Sequence, residues 1–342
     1  MNIYGQTLPQ LKEYMVQLGE KPSKAVFLFK GLYQQKIQNF MDTPVLKEAL
    51  KVQLAQDFQM QLPTLVEQTA GEDTAKFLFN LEDGSLIEAV LMKQKYGNSL
   101  CISSQVGCNM ACAFCQSGRF KRVRNLTAAE MVAQVLAVEK LVEEKVNNVV
   151  LMGIGEPLDN YDEVTAFIDI VSHQQGLAIG MRHITLSTCG IVPRIYDYME
   201  REAPGPLAIS LHAPNNELRN QLMPINRRYP VEELMTAVKA YIAKTNKKVM
   251  LEYVMLDGIN DKPEHAHQLA ALIESSDCHV NLIPYNATQN LGFAPSSMEN
   301  IKIFYDILRD KGIFVNLRRE FGASVQAACG QLKANYLEKT NM

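Results

Sequence analysis

Three cysteines in one short segment are the strongest chemical signal in the sequence. Cys108, Cys112 and Cys115 follow one another at a Cys-x3-Cys-x2-Cys spacing, which arises from seven cysteines by chance with a probability of about 0.003. A closed structural zinc site commonly takes paired ligands, and no cysteine pair follows at a suitable spacing. Three thiolates in one loop suit three irons of a 4Fe–4S cluster, whose fourth iron stays open to a small chelating ligand. The motif therefore predicts an iron–sulfur site.

The composition is that of a globular protein. Of the 342 residues, 47% are hydrophobic and 21% are charged, and no apolar run approaches the roughly 18 residues that span a bilayer. The first twelve residues lack a charged-then-apolar signal pattern, so we expect a cytoplasmic protein without a membrane segment. An odd number of cysteines argues against a secreted disulfide framework. The net charge of −3 argues against a globally basic nucleic-acid binder but allows a local basic groove.

Strands and helices alternate from about residue 98 onward. Strands are predicted at 99–104, 147–153, 182–188, 206–212, 248–256, 278–286 and 313–318. This alternation implies an α/β fold with a parallel sheet and right-handed crossovers. About six or seven units are fewer than a complete eightfold barrel needs, so we expect a partial barrel or an open sheet. In both cases the active site should lie at the C-terminal ends of the strands.

Local signals place helix starts and two smaller regions before the alternating part. Thr127-Ala-Ala-Glu130 and Ser296-Ser-Met-Glu299 are capping boxes, and Pro230 suits the first turn of a helix. Residues 1–73 show helical spacing of apolar residues, and 74–97 alternate in strand fashion around an Asp83-Gly84 turn. We therefore predict a helical N-terminal accessory domain over 1–73, a β-hairpin extension over 74–97 and an α/β domain over 98–342.

The cysteine motif, placed after a first strand, resembles that of the radical S-adenosylmethionine (SAM) enzymes. Gly153-Ile-Gly155-Glu156-Pro157 ends the next strand, where that superfamily contacts the amino group of SAM. As a dinucleotide fingerprint this glycine pair is weak, because the third glycine is absent. The resemblance implies a partial (β/α)6-type barrel. It also implies one 4Fe–4S cluster on Cys108, Cys112 and Cys115, which reduces SAM to methionine and a 5′-deoxyadenosyl radical.

Further motifs extend the resemblance over essentially the whole chain. In their order they resemble those of the RlmN family, bacterial RNA methyltransferases that act on ring carbon 2 of adenosine. That carbon is electron-poor and its hydrogen is not acidic, so a radical route suits its methylation. The motifs are Cys101-Ile-Ser-Ser-Gln-Val-Gly-Cys108, Gly155-Glu156-Pro157, Leu186-Ser187-Thr188, Ser210-Leu211-His212-Ala213-Pro214, Leu222-Met-Pro-Ile-Asn226, Asn281-Leu-Ile-Pro-Tyr-Asn286 and Ala328-Cys329-Gly330-Gln331-Leu332.

The family resemblance implies a ping-pong mechanism that consumes two SAM per turnover. A first SAM methylates Cys329, and the radical from a second SAM takes a hydrogen from that methyl group. The thiomethylene radical adds to the adenine and joins RNA to the enzyme, until Cys101 attacks the sulfur of Cys329 and leaves a disulfide. Glu88 is implied as the base that removes the ring proton. Taken alone, Glu88 would indicate a solvated hairpin residue, and each cysteine a buried packing residue.

The resemblance also implies ligand contacts and partners. The implied substrates are 23S rRNA at the peptidyl transferase centre and tRNA next to the anticodon, with an electron donor such as flavodoxin and a monomeric enzyme. Strand-end positions suit ligand contacts, although a structural cap would give the same pattern. Cys189 and Cys278 have no matching role and are interpreted as packing residues. The implied SAM contacts are Gly155, Glu156, Ser187, Ser210, Leu211, His212 and Asn286.

A basic run directly follows the cysteine motif. Such a run is usually an exposed charged loop, but its position beside a base-modifying centre favours contact with RNA phosphates. Arg227-Arg228 and Arg318-Arg319 are weaker candidates to extend this surface. The run consists of Arg119, Lys121, Arg122 and Arg124.

Two other functions fit parts of the sequence. The ring-carbon-8 methyltransferases of antibiotic resistance share the cysteines and the mechanism, but Gly155-Glu156-Pro157 and Gln105-Val106-Gly107 resemble the carbon-2 enzymes more closely. A noncatalytic, zinc-stabilised RNA-binding protein would use the same cysteines without iron. Two stretches depart from the family pattern: Gln116-Ser117-Gly118 after the motif, and Ala323-Ser324-Val325-Gln326, where the family usually carries acidic residues.

Overall fold

The fold is described from a computed structural model for residues 1–274, 276–287 and 291–318. Cys329, Arg319 and the stretch 323–326 lie outside these described residues, so what the sequence predicts for them stays a prediction. None of the helices in the described ranges combines the length and the apolar character that crossing a lipid bilayer requires.

The first part of the chain is helical, as predicted. It contains α1 (Leu8–Gln17), α2 (Ser23–Tyr33) and α3 (Glu48–Asp57). A capping box opens α1, because Thr7 and Gln10 each accept the other's backbone N–H. Leu11 and Leu28 are fully buried, so the helices pack through one apolar face each.

Four antiparallel strands follow the helices. They are β1 (Thr64–Ala70), β2 (Thr74–Asn80), β3 (Leu86–Gln94) and β4 (Gly97–Cys101). The predicted hairpin is the β2–β3 pair, and its turn contains Gly84 at φ +80°. The prediction of helices through residue 73 is wrong over Thr64–Ala70, because pairing with β2 makes that segment an edge strand. The division of the chain into three domains stays a prediction.

Parallel strands continue the same sheet beyond β4. They are β7 (Asn148–Leu151), β8 (Ile184–Thr188), β9 (Leu207–Ser210), β10 (Val249–Met255), β11 (Cys278–Pro284) and β12 (Phe314–Leu317). The sheet order is β1-β2-β3-β4-β7-β8-β9-β10-β11-β12, and every pair from β4 to β12 is parallel. A small separate ladder joins β5 (Gln105–Val106) to β6 (Arg124–Asn125). All seven strands predicted between 99 and 318 are therefore confirmed: six lie within shorter bounds, and the first, β4, begins two residues earlier than predicted.

Helices connect the parallel strands as crossovers. They are α4 (Ala128–Val142), α5 (Tyr161–Ser172), α6 (Val192–Met199), α7 (Asn216–Leu222), α8 (Val231–Thr245), α9 (Pro263–Ile273) and α10 (Met298–Asp310). Arg318, just past β12, donates to the sulfur of Met92 on β3 at 3.7 Å. The late strands therefore curve back towards the early ones, and the α/β domain is the partial barrel that was predicted.

The predicted helix starts hold with two adjustments. The Thr127–Glu130 capping box is confirmed, since Thr127 N–H donates to Glu130 at 2.9 Å and Glu130 N–H donates back at 3.2 Å. The box predicted at Ser296 is wrong by one residue: Ser297 caps α10 by accepting the N–H of Asn300 at 3.1 Å. Both adjacent serines are suitable N-cap residues, and α10 begins at Met298, directly after the second. Pro230 stands immediately before α8 with an extended ψ of 159° instead of within its first turn.

Candidate active site

A cavity of about 350 Å³ lies at the C-terminal ends of the parallel strands, where the α/β pattern predicts the site. It is large enough for a small-molecule ligand. The cavity brings together Cys101, the three cysteines of the motif and most of the predicted strand-end contacts. Among its lining residues are Cys101, Cys108, Cys112, Cys115, Gly153, Gly155, Glu156, Ser187, Cys189, Ser210, His212, Glu252, Asn286 and Arg318.

The loop that carries the cysteine motif is held by backbone hydrogen bonds. Cys108 N–H donates to Phe120 O at 2.8 Å, and Cys115 N–H donates to Cys112 O at 3.1 Å. Gly107 begins the loop at φ +80°, and a Cβ on it would lie 2.2 Å from the carbonyl oxygen of Lys121. The loop can therefore close only with glycine at this position.

The three thiols line one cavity, and those of Cys108 and Cys112 are largely desolvated. Burial raises the pKa of Cys108 to about 12 and raises the pKa of Cys112 well above its ordinary value, and the neighbouring thiols add to both effects. A metal centre would replace these protons and neutralise the repulsion between thiolates. Within the described ranges, no group of three or more His, Cys, Asp or Glu side chains has the arrangement that holds a metal ion. The cluster assignment therefore rests on the donor set, the shared cavity and the family reported below.

The two glycines after β7 allow a close approach between two loops. A Cβ on Gly153 would lie 2.4 Å from the carbonyl oxygen of Ile102. Gly155 has φ +113°, and a Cβ there would lie 2.7 Å from Cβ of Gln105. A hydrogen bond also joins the two loops, because Oε1 of Gln105 accepts the N–H of Glu156 at 2.9 Å. The glycine turn is thus pressed against the chain that leads into the cysteine loop.

Glu156 is anchored by the protein's own backbone. The residue is 3% exposed. Its Oε1 accepts the N–H of Leu158 at 3.0 Å and its Oε2 accepts the N–H of Cys189 at 2.8 Å. Burial raises the pKa of its carboxyl, and these hydrogen bonds oppose that shift. In the structure Glu156 therefore joins the ends of β7 and β8 while it lines the cavity.

The other predicted SAM contacts divide into two groups. Ser187, Ser210, His212 and Asn286 all line the cavity. Leu211 does not, because its side chain is fully buried in the main hydrophobic core and its backbone N–H donates to Glu252 O at 3.1 Å. The structure thus brings four of these five residues together.

His212 presents a neutral imidazole to the cavity. Burial and the charge of Arg219 lower its pKa to about 3. Its Nδ1 accepts the N–H of Val254 at 3.0 Å, so in the neutral ring the proton resides on Nε2. The ring also packs edge-on against Phe114 with centroids 4.8 Å apart. The residue has φ +56°, a left-handed backbone conformation that turns it into the cavity.

Arg219 is a residue of the site that the sequence analysis missed. It lies on α7 with 0% exposure. Its guanidinium donates to Cys189 O at 2.6 Å, Ser210 O at 3.2 Å and Leu211 O at 3.1 Å. It therefore ties together the loops that follow β8 and β9. The only signal in the sequence was its proximity to the Leu222–Asn226 motif, since Asn226 accepts a fourth bond at 3.0 Å.

Cys101 and Glu88 lie on neighbouring strands beside the cavity. Cys101 ends β4 directly opposite Val90 of β3, two residues from Glu88 on the same face. Glu88 is 3% exposed, so the alternative of a solvated hairpin residue is wrong. Burial raises the pKa of the Cys101 thiol to about 11, Glu88 adds to this effect, and the charges of Arg318 and Lys76 oppose it.

Ion pairs divide the four residues of the predicted basic run into two groups. Arg124 donates to Asp83 at 2.7 Å and to Glu130 at 2.8 Å, and Arg122 pairs with Asp159. Arg122 and Arg124 therefore anchor the chain after the cysteine loop to neighbouring elements of the protein. Arg119 and Lys121 are exposed and have no ion pair within the part of the chain that the structure describes. Arg227 and Arg228 are exposed as well, and Arg228 stacks over Tyr229.

The two cysteines interpreted as packing residues, Cys189 and Cys278, are both buried. Cys189 and Cys278 are 5% and 6% exposed. Cys189 nevertheless lines the cavity, which its interpretation as a packing residue did not anticipate.

Comparisons with known proteins agree with this site. The barrel and the cysteine cavity define a radical SAM enzyme, and residues 102–270 match the Radical SAM superfamily. Residues 1–60 match the family described as Ribosomal RNA large subunit methyltransferase N-terminal domain. A solved radical SAM methyltransferase from Sphaerobacter thermophilus is 39% identical with a TM-score of 0.91, covering 97% of this chain and 98% of that chain.

Curated relatives show which family within the radical SAM superfamily this chain belongs to. A protein named "Probable dual-specificity RNA methyltransferase RlmN" from Caldanaerobacter subterraneus subsp. tengcongensis is 47% identical over 340 residues, which is 99% of each chain. The protein of the same name from Bacillus subtilis is 46% identical over 97% of this chain and 93% of its own. The chain belongs to the RlmN family of radical SAM RNA methyltransferases.

Family membership implies a 4Fe–4S cluster and SAM, and the cavity fits both. Cys108, Cys112 and Cys115 all line this cavity, and their thiols are the donor set for three irons. Strand ends and the glycine turn line it as well, where polar groups such as Ser187 and His212 are available to a small polar ligand.

Proposed function

We propose that this protein methylates carbon 2 of adenosine in 23S rRNA and in tRNA next to the anticodon. The observation that carries the proposal is the shared cavity: Cys101 lines it together with the three cysteines of the motif, and Glu88 lies buried on the strand that pairs with the one ending in Cys101. A radical enzyme that transfers a methyl group by displacement alone would need neither a second thiol nor a buried carboxylate at this place.

The proposed reaction follows a ping-pong sequence through Cys329. The bound cluster and SAM supply methyl-group and one-electron chemistry, with two SAM used per turnover. Cys329 carries the methyl group and becomes bonded to the adenine through its methylene carbon. Cys101 then attacks the sulfur of Cys329: the S–S bond forms as the bond from that sulfur to the methylene carbon breaks, and the methylene carbon keeps the bonding electron pair and takes a proton to become the methyl group of the adenosine. The disulfide is afterwards reduced by two electrons from an external thiol.

The position of Arg318 supports this role for Cys329. Arg318 lines the cavity, and eleven residues later the chain reaches Cys329. At roughly 3.5 Å per residue, this length spans up to about 38 Å, which is ample to reach Cys101 from the cavity wall.

Glu88 is the proposed acceptor of the ring proton. A buried carboxylate two residues along β3 from the partner of Cys101 is placed to act on a base held between the two cysteines. We expect Glu88→Gln to lower the yield of methylated RNA at least 100-fold without changing the iron content of the protein. Methylation at the wild-type rate by this variant would remove Glu88 from the mechanism.

The proposed RNA surface consists of Arg119 and Lys121, with Arg227 and Arg228 as further candidates. These cations are exposed, and Arg119 and Lys121 follow the cysteine loop directly. The target adenosine must leave its stack to reach the cavity, so backbone phosphates remain outside where these side chains can contact them. We further propose a cytoplasmic monomer that takes its electrons from a flavodoxin-like donor.

Replacing the resolving thiol tests the mechanism directly. Under anaerobic turnover with SAM, reductant and 23S rRNA fragments, we expect Cys101→Ala to remain bonded to RNA, visible on a denaturing gel. The matched control is Cys278→Ala, which removes another buried thiol at the opposite end of a barrel strand and should release methylated RNA. A Cys101→Ala protein that releases methylated RNA normally would refute the roles proposed for both cysteines.

Two measurements separate the proposal from its alternatives. Mass spectrometry of the modified nucleoside distinguishes 2-methyladenosine from the 8-methyladenosine that a ring-carbon-8 enzyme produces. Metal analysis after anaerobic purification should give about four irons and four sulfides per chain, the content of one such cluster. Stoichiometric zinc without iron would instead indicate the noncatalytic RNA-binding protein.

A further inference from the structure

Arg219 is a fully buried cation next to the cysteine loop. Its guanidinium makes four hydrogen bonds, three to backbone carbonyls and one to the amide oxygen of Asn226. Within residues 1–274, 276–287 and 291–318, no carboxylate forms an ion pair with it. Neutral oxygens satisfy its donors, but they leave its positive charge without a counter-charge. Burying an uncompensated charge is costly, so its presence calls for an anion.

The helix that carries Arg219 is bonded to the cysteine loop. α7 ends at Leu222, whose carbonyl accepts the N–H of Ala113 at 2.9 Å. Ala113 directly follows Cys112, and Cys112 and Phe114 pack against the same apolar cluster as Leu222. The positive charge is therefore fixed in place relative to one of the three thiols.

Glu156, the buried carboxylate that joins the ends of β7 and β8, does not serve as the counter-charge. Both of its carboxylate oxygens accept backbone N–H groups, those of Leu158 and Cys189. Burial lowers the pKa of Arg219 to about 10, and the negative charge that a thiolate at Cys189 or Cys112 would carry opposes this shift. Cys112 carries that charge once it binds iron, because a coordinating thiol is deprotonated.

We propose that Arg219 is the positive charge that raises the reduction potential of the iron–sulfur cluster, a role that rests on the proposed function. It is a positioning residue, since its bonds hold the loops after β8 and β9 and its charge acts through the cluster. Reduction adds one electron, and a fixed cation in a low-dielectric surrounding stabilises the reduced, more negative form. The same side chain thereby links the strand-end loops that face SAM to the electron transfer that starts the reaction.

The inference is tested by redox titration of the anaerobically reconstituted full-length protein, followed by electron paramagnetic resonance. The electron comes from a low-potential one-electron mediator poised with dithionite. In Arg219→Met, we expect the equilibrium between reduced and oxidised cluster to shift at least tenfold towards the oxidised form, a fall of about 59 mV for this one-electron couple. In Arg219→Lys, which keeps the charge, we expect a shift of less than threefold.

A second control separates charge from the mechanical role of the hydrogen bonds. Asn226→Ala removes one bond partner of Arg219 and leaves its charge in place, so the potential should remain within threefold of wild type. If Arg219→Met does not fold, Arg219→Gln keeps two donors without the charge and should show the same tenfold shift. Equal falls in the Lys and Met variants, or an unchanged potential in Met, would overturn the inference. A wild-type protein that contains no iron would instead overturn the proposed function.

Discussion

Replacing His212 by Asn tests whether the site is built to hold a neutral imidazole. Asn is the matched substitution, because it tolerates the left-handed backbone at φ +56° and its side-chain oxygen can accept the Val254 N–H in place of Nδ1. The change removes the only titratable atoms at this position. Any difference between the two proteins in how the free energy of unfolding depends on pH therefore reports on the imidazole.

The expected magnitude follows from the pKa of His212. Burial lowers it from 6.5 to about 3, so the folded protein binds no proton here at pH 5, whereas the unfolded chain does. Stability that is present above pH 6.5 is therefore lost as the pH falls towards 3. At 1.36 kcal/mol per pH unit, the loss relative to Asn is about 2 kcal/mol at pH 5 and about 4 kcal/mol at pH 3.

The assay is urea unfolding of both proteins in cluster-free form with thiols kept reduced, at pH 7.5, 6.0 and 5.0. We expect the difference in unfolding free energy between wild type and His212→Asn to move by about 2 kcal/mol against the wild type between pH 7.5 and 5.0. A constant difference across this range would show that His212 titrates normally in the folded protein.

Three further predictions concern the loops around the cavity. Gly155→Ala should lower the unfolding free energy by about 3 kcal/mol in urea titrations, because the new Cβ would collide with Gln105. The control Gly258→Ala is also at positive φ but in open space, so it should lower the unfolding free energy by about 1 kcal/mol. Equal decreases in the two variants would show that Gln105 does not crowd Gly155. Because burial raises the pKa of Cys101 to about 11, the rate of its alkylation should rise tenfold per pH unit from pH 7 to 9.5 without a plateau. The rate is followed by mass spectrometry, and a plateau near pH 8.5 would show that the thiol has an ordinary pKa. The double change Arg119→Ala and Lys121→Ala should weaken RNA binding and reduce the slope of log affinity against log salt by about 1.5 in filter binding, and an unchanged slope would move the RNA surface elsewhere.

Local periodicity was enough to predict the parallel strands and the β2–β3 hairpin but not the edge strand β1, and it left a partial barrel and an open sheet as alternatives. The parallel strands and the Thr127 cap follow from patterns contained within a few neighbouring residues, so their positions were predictable. Thr64–Ala70 was missed because an edge strand exposes side chains on both faces and lacks clear alternation. Its strand conformation depends on pairing with β2, which is a tertiary interaction.

The same distinction applies to the site. The cysteine motif and the strand-end residues could be located because their spacing or position is informative by itself. Arg219 was missed because its burial depends on carbonyls of two other loops, and arginine is ordinarily a surface residue. The role of Arg124 as an anchor depends on Asp83, 41 residues earlier, so the local basic run gave no sign of it.

The contact between Arg318 and Met92 also has a consequence for which thiol releases the RNA in the proposed reaction. It places Arg318 at the cavity wall, eleven residues before Cys329, so the length of chain between them limits the distance of Cys329 from this wall to about 38 Å. Two groups joined by a short linker meet at an effective concentration of about the millimolar range. In the proposed reaction, an external thiol would have to match that concentration and enter a cavity that holds the target adenosine before it could cleave the RNA–protein bond in place of Cys101. The covalent link between the two cysteines thus favours release through the internal disulfide and leaves external thiols for the later step that restores both cysteines.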